Sequence, residues 1–166
     1  MPTKVKIEKV IRNPRDDKLG LVDIELEDGM YNIQMTVEVY EKIPGDMKTA
    51  SANFTLYSMG DYDVFKDEEE FTKKKEKSMA PQSLIPIGSF TIGLDGWKKS
   101  PEVFINGKVS EVVEDNENYY VELECLNVIY YAIFKKETGV RPEEGNIISS
   151  GYWIEMEILK EGQLWS

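Results

Sequence analysis

Residues 102–135 read EVFINGKVSEVVEDNENYYVELECLNVIYYAIFK, and this stretch decides the fold class. Apolar and polar residues alternate through 103–113 and again through 119–126, whereas 128–134 is apolar on both faces. A period of two is typical of a strand with one buried face, and a short continuous apolar run is typical of a central strand. The polar residues 115–118 predict the turn between the first two strands.

The same alternation is present nearer the N-terminus. Apolar residues alternate with acidic ones through 22–27 and with polar ones through 31–39. Asp28-Gly29 lies between these segments, and both residues tolerate the positive φ angles of a two-residue hairpin turn. We therefore predict an antiparallel hairpin here, with one strand before it over residues 4–12 and another after it over 53–59.

One short helix is predicted near residues 67–77. Asp67 can cap its start, three glutamates lie near the positive end of the helix dipole, and four lysines lie near the negative end. Phe71 is the only apolar residue in its middle, so little of the helix is expected to be buried. We interpret the lysine run as a solvated helix end and not as a phosphate site.

Composition excludes several classes of chemistry. The chain has 166 residues, 31 acids, 20 Lys and Arg, one cysteine and no histidine. Without histidine and with Cys125 alone, a structural zinc site is excluded and the commonest general base is missing. Acid pairs such as Asp61 and Asp63 are expected by chance in so acidic a chain. We therefore predict no catalytic residues, no metal and no cofactor, and we expect Cys125 to be a buried core residue.

The net charge of −11 disfavours nucleic acid as a partner, because binders of phosphate backbones need Lys and Arg. No apolar run approaches a membrane span and no signal segment precedes the strands, so we expect a cytoplasmic location and no membrane partner.

Ala80-Pro81 and Ile85-Pro86 favour a connector between two parts of the chain. They predict two parts. Residues 1–80 form an N-terminal β subdomain that includes the helix, and residues 81–166 form a C-terminal barrel. One continuous domain is the alternative.

Residues 102–159 resemble an OB-fold barrel. A long first strand carries Gly107, two strands follow by short turns, and a polar crossover over 136–144 leads to Gly145 and Gly151, which match glycines at the start of the fourth strand of many OB folds. The resemblance implies a mainly β fold, in which antiparallel hairpins close into an OB-like or related small β-barrel. Only one long strand follows the crossover, so we expect residues 84–92, or a split of 147–159 at Gly151, to supply the missing fifth strand.

The resemblance also implies a binding face on the second and third strands and the loops beside them. Its candidate ligand-binding residues are Tyr119, Tyr120, Tyr130 and Tyr131, whose rings can stack on a ligand. In each adjacent pair one ring is expected to point inward and the other outward. Glu122 and Glu124 flank this surface and would repel phosphate, which favours protein or carbohydrate as the ligand.

The leading hypothesis is a non-enzymatic binding or protein-interaction module. Its partner is expected to be another protein, or a copy of itself joined through an exposed strand edge. One alternative is a single-stranded nucleic-acid-binding protein that uses the four tyrosines. Another is a carboxylate-dependent glycan hydrolase, which needs two converging acids in a cleft.

Overall fold

The computed structural model describes residues 2–13, 16–75, 79–89 and 99–159. This part of the chain is mainly β, with a single α-helix, as the alternation predicts. In chain order the strands are β1 (Thr3–Asn13), β2 (Asp16–Leu26), β3 (Gln34–Val39), β4 (Thr49–Ser58), β5 (Asp63–Phe65), β6 (Ser83–Ile85), β7 (Glu102–Glu114), β8 (Asn118–Cys125), β9 (Val128–Lys135) and β10 (Ile147–Ile158). Helix α1 (Glu68–Lys74) lies between β5 and β6, and short 3-10 turns cover Ile87–Ser89 and Lys136–Thr138.

All ten strands belong to one sheet with the order β5-β10-β3-β2-β1-β4-β9-β8-β7-β6. β10 also pairs with β7, so the eight strands from β10 to β7 close into a hydrogen-bonded ring. β4 runs parallel to β9 and β10 runs parallel to β3, while the other pairings are antiparallel. This ring is compatible with the barrel-like fold that the OB resemblance implies.

A further pairing, between β10 and β4, divides the ring into two circuits of five strands that share this pair. One circuit is β10-β3-β2-β1-β4, and the other is β10-β4-β9-β8-β7. β10 pairs with β7 through residues 147–153 and with β4 through 154–158, so it is one long strand with no split at Gly151.

The strand that closes the second circuit is therefore β4, from the N-terminal part of the chain. The expectation that residues 84–92 supply this strand is wrong. Leu84 and Ile85 lie in β6, which pairs with β7 at the end of the strand order, and residues 90–92 lie outside the described part of the chain. β4 lies between β9 and β10, and it forms backbone hydrogen bonds with β9 on one side and with β10 on the other.

The prediction of a two-residue turn at Asp28-Gly29 is also wrong. β2 ends at Leu26 and β3 begins at Gln34, so residues 27–33 form a longer loop. The carboxylate of Asp28 accepts a hydrogen bond from the Lys4 backbone N–H at 2.7 Å, and Met30 N–H donates to the Leu126 carbonyl at 2.9 Å. A loop held by residues far away in the chain replaces the local turn that the dipeptide favours.

Helix α1 forms within the segment predicted near residues 67–77, of which residues 76 and 77 lie outside the described part of the chain. The Asp67 carboxylate accepts from the Glu70 N–H at 2.8 Å and so caps the helix. Glu70 accepts from the Lys66 N–H and pairs with Lys74 at 2.9 Å, one turn later. Phe71 is the only buried residue of the helix and packs edge-on against Phe65, with ring centroids 5.0 Å apart.

The main hydrophobic core draws side chains from both halves of the chain. Buried members include Ile24, Val37 and Phe54 from the N-terminal part and Val121 and Ile154 from the C-terminal part. Strands from both predicted parts thus share one sheet and one core, while the division into 1–80 and 81–166 stays a prediction. Within the described ranges, no helix has the length and apolar character needed to cross a membrane.

Candidate functional site

The four candidate tyrosines divide into two buried and two exposed rings. β8 and β9 pair in antiparallel register, and side chains alternate across both strands. Tyr119 and Tyr130 are 9% and 1% exposed and belong to the core, whereas Tyr120 and Tyr131 are 39% and 37% exposed on the outer face. The expectation that one ring of each pair points inward is confirmed.

The two buried rings have structural contacts that account for them. Tyr130 packs against Phe54 with ring centroids 5.7 Å apart, and burial raises its pKa well above the usual value. The ring of Tyr119 has the Lys136 ammonium 5.4 Å from its centroid. The hypothesis of an aromatic binding face is therefore carried by Tyr120 and Tyr131.

Tyr120 and Tyr131 line one open groove of about 310 Å³ on the outer surface of β4, β9, β8 and β7. We call it the tyrosine groove and define it by Thr55, Glu111, Val113, Tyr120, Glu122 and Tyr131. Its walls combine aromatic rings, aliphatic side chains and two carboxylates. A surface of this composition can bind a group that has both an apolar part and a positive charge.

The turn between β7 and β8 orients Tyr120. The Tyr120 hydroxyl donates to the Asp115 carboxylate at 2.8 Å. Backbone N–H groups of Asn118 and Glu117 donate to the same carboxylate at 2.8 and 2.9 Å. These bonds, that of Asn118 first, lower the pKa of Asp115. The acidic turn predicted at residues 115–118 thus fixes one wall of the groove.

Tyr131 lies directly opposite Glu122, which in turn lies directly opposite Glu111. Burial is the main cause that raises the pKa of Tyr131, and the negative charges of Glu122 and Glu111 add to it. The Ser110 hydroxyl donates to Glu122 at 2.8 Å, which holds that carboxylate beside the groove. The Tyr131 ring and two carboxylates therefore form one cluster.

Strand register arranges this outer face in two adjacent rows. The apolar row crosses the sheet through Tyr57, Ile133, Tyr120 and Val113, each opposite the next. On β4, β9, β8 and β7 the acidic row lies two residues from the apolar row, and it continues onto β10 and β3. Its members, each opposite the next, are Glu38, Glu155, Thr55, Tyr131, Glu122 and Glu111. The tyrosine groove is one end of this double row.

A second group of tyrosines and glutamates lies at the other end of the acidic row. It contains Glu38, Tyr40, Tyr57 and Glu155, and we call it the tyrosine–glutamate cluster. A hydrogen bond to the buried Glu38 carboxylate is the main cause that raises the pKa of Tyr40 to about 12. Burial, and then a hydrogen bond to Glu155, raise the pKa of Tyr57.

Sequence reasoning missed this cluster, although the alternation places Glu38 and Glu155 on the polar faces of their strands. Nothing local to either segment indicates that β3 and β10 meet. They join through a single parallel pair, Glu38 opposite Glu155. The four side chains come together only through pairing between strands that are distant in the sequence.

The four glutamates of the acidic row have no basic partner in the part of the chain that the structure describes. Ion pairs form nearby instead, where Glu114 contacts Lys136 at 2.6 Å and Arg141 at 3.1 Å. Like charges directly opposite one another destabilise a sheet. The outer face therefore carries negative charge that the described residues leave uncompensated.

Other candidate chemistry does not gather into a site. Cys125 is buried in the core, and burial raises the pKa of its thiol to about 12, as expected for a structural cysteine. Among the residues with described positions, no three His, Cys, Asp or Glu side chains are placed to hold a metal ion. No known family model matches the chain, and no curated protein sequence matches it.

Proposed function

We propose that the protein is a non-enzymatic protein-interaction module whose binding face is the tyrosine groove. One observation carries the proposal: two exposed tyrosines from neighbouring strands, Tyr120 and Tyr131, line the same groove beside an apolar row. Tyrosine rings give a large contact area with few rotatable bonds, and they are enriched where proteins bind one another.

We also propose that the circuit β7-β8-β9-β4-β10 is an OB-like unit in which β4 takes the place of the last strand. Support comes from the strand order, including the parallel pairing of β4 with β9. The 3-10 turn Lys136–Thr138 lies in the crossover, where many OB folds have a helix. OB folds bind ligands on the face of their second and third strands, which here are β8 and β9.

Protein is favoured over single-stranded nucleic acid by the charge of the groove. Glu111 and Glu122 line it, and the whole chain carries −11. A phosphate backbone that followed the tyrosines would meet both carboxylates. Titration with oligo-dT at low salt checks this alternative, since quenching of tyrosine or tryptophan emission would support it.

A glycan hydrolase is the less favoured alternative. Glu111 and Glu122 lie on directly opposed residues of adjacent strands and leave the same face of the sheet. The catalytic carboxyls of a glycosidase flank the bond that is cleaved, so they approach it from two sides. Release of reducing sugar from glycans, lost in a Glu111→Gln and Glu122→Gln variant, would favour hydrolysis over the proposal.

The proposal is tested by removing the exposed rings. Peptides are selected against the protein from a displayed random library, and their affinities are then measured by fluorescence anisotropy. The Tyr120→Ala and Tyr131→Ala double variant is expected to lose about tenfold or more in affinity, because tyrosines that become buried in an interface are frequent binding hot spots. Tyr31→Ala is the matched control, since Tyr31 is 60% exposed outside the groove. Equal affinities for all three proteins would contradict the proposal.

A further inference from the structure

We propose that the segment bound by this face is basic and extended, with two lysine or arginine side chains about four residues apart. One cation binds in the tyrosine groove and the other at the tyrosine–glutamate cluster. This inference rests on the proposed function and names the chemistry of the partner.

Charge is the first argument. The acidic row contains two like-charged pairs in direct register, Glu111 opposite Glu122 and Glu38 opposite Glu155. Each pair destabilises the sheet, and no lysine or arginine in the described ranges lies within ion-pairing distance of either. Cations supplied by a partner would relieve the repulsion at both places, which makes the face complementary to a positively charged segment.

The neighbouring apolar row is the second argument. Lysine and arginine have an apolar stem and a charged head, and they bind best where both parts are matched. Here Tyr57, Ile133 and Tyr120 lie beside the carboxylates, so a stem can lie along the rings while the head reaches the acidic row. Tyrosine faces also attract cations directly.

Spacing is the third argument. Glu155 and Glu122 are separated by three strand intervals, through Thr55 and Tyr131. Neighbouring strands lie 4.7–4.9 Å apart, so the two sites are about 14 Å apart along the sheet, which an extended peptide spans in about four residues. Side chains at i and i+4 of an extended segment leave the same face, so both can point at the sheet.

The test uses synthetic peptides with defined charge spacing. One peptide carries arginines at i and i+4 with valine between them, and a second has the same composition with adjacent arginines. We expect the first to bind the protein about tenfold more tightly than the second, because only it reaches both sites. Equal binding of the two peptides would overturn the inference.

Two charge reversals test the sites one at a time. Glu111→Lys and Glu155→Lys each replace a like-charged pair with an opposite-charged pair, so the fold is retained. Each is expected to weaken binding of the spaced peptide about fivefold or more. Glu143→Lys is the control, because it changes the net charge equally at an exposed position that belongs to neither row. An equal loss in the control would show general electrostatics and overturn the inference.

The outcomes separate this inference from the proposed function. Library peptides that bind through Tyr120 and Tyr131 but tolerate Glu111→Lys and Glu155→Lys would overturn the basic segment and leave the interaction module standing. Insensitivity of all binding to loss of the two tyrosines would overturn both. Light scattering that shows a dimer dissolved by the tyrosine variant would make a second copy the occupant and would also overturn the inference.

Discussion

At the residue scale, single contacts hold the crossover between β9 and β10 against residues of the main hydrophobic core. The Tyr62 hydroxyl donates to the Val140 carbonyl at 3.0 Å, and its ring packs against Phe134 with centroids 4.4 Å apart. Gly139 has extended backbone, so any residue could adopt its conformation. It is the space above the Tyr62 ring that requires glycine.

Gly139→Ala is expected to destabilise the protein by about 1–3 kcal/mol, as overpacking does. The added Cβ would lie 2.6 Å from Tyr62 Cζ, and the packing of the Tyr62 ring against Phe134 resists its displacement. Urea denaturation measures the free energy of unfolding. Gly60→Ala is the control, since a Cβ there meets nothing within 4 Å. A similar stability for both variants would count against this account of the crossover.

Glu155→Gln is expected to raise the melting temperature at pH 7, with a gain that shrinks as the pH falls through the raised pKa of Glu155 and is gone below the unfolded value. Burial, and then the charges of Glu38 and Glu157, raise the pKa of Glu155 in the folded state. A raised carboxyl pKa stabilises the fold below the unfolded value, near 4.3, and that contribution is lost as pH rises through the folded value. Thermal melts across this range, with exposed Glu143→Gln as control, check the sign; a pH-independent difference would refute it.

At the element scale, β10 is the strand on which the architecture depends. It pairs with β3, β4, β5 and β7, and together with β4 it belongs to both five-strand circuits. A buried polar contact sets its register against β7: the Ser149 hydroxyl donates to the Asn106 side-chain oxygen, and Asn106 Nδ2 donates to the Ser83 hydroxyl at 2.8 Å. Three strands, β6, β7 and β10, are thus linked through one buried amide.

Asn106→Ala is expected to lower the free energy of unfolding by about 1–3 kcal/mol, because it leaves the buried Ser149 hydroxyl without its acceptor. Chemical denaturation measures the loss. Asn116→Ala, at an exposed turn position, is the matched control and is expected to change stability by less than about 0.5 kcal/mol. Losses of equal size would mean that the buried contact does not stabilise the register.

At the scale of the whole molecule, the ring joins the two halves of the chain. β4 pairs with β1 from the same half and with β9 and β10 from the other half. The main core likewise combines Phe54 with Tyr130 across the predicted boundary. Removal of either shared strand, β4 or β10, would leave unpaired edges in both circuits.

We therefore expect one cooperative unfolding transition. Tryptophan fluorescence and far-ultraviolet circular dichroism should give coincident urea curves. Because β4 and β10 belong to both circuits, neither circuit can unfold without disrupting the other. Two separated transitions, or curves that do not coincide, would instead support independent units over residues 1–80 and 81–166.

Much of the local structure could be predicted from the amino-acid pattern. The strands of 102–135, the helix near Asp67 and the inward and outward division of the tyrosines all follow from alternation and capping, which depend on residues close together in the chain. The pattern predicts part of the tyrosine groove: it indicates both aromatic residues, whereas Glu111 and Thr55 join the groove only through pairing between strands.

Alternation settles which face of a strand is apolar, because that property belongs to each strand alone. It does not settle which strands become neighbours, because hydrogen bonds between backbones are nearly the same for every partner. The choice of β4 to close the second circuit, and the meeting of Glu38 with Glu155, arise from packing of the whole ring. Pairing between distant strands was therefore decided only by the tertiary structure, and with it the double row on the outer face.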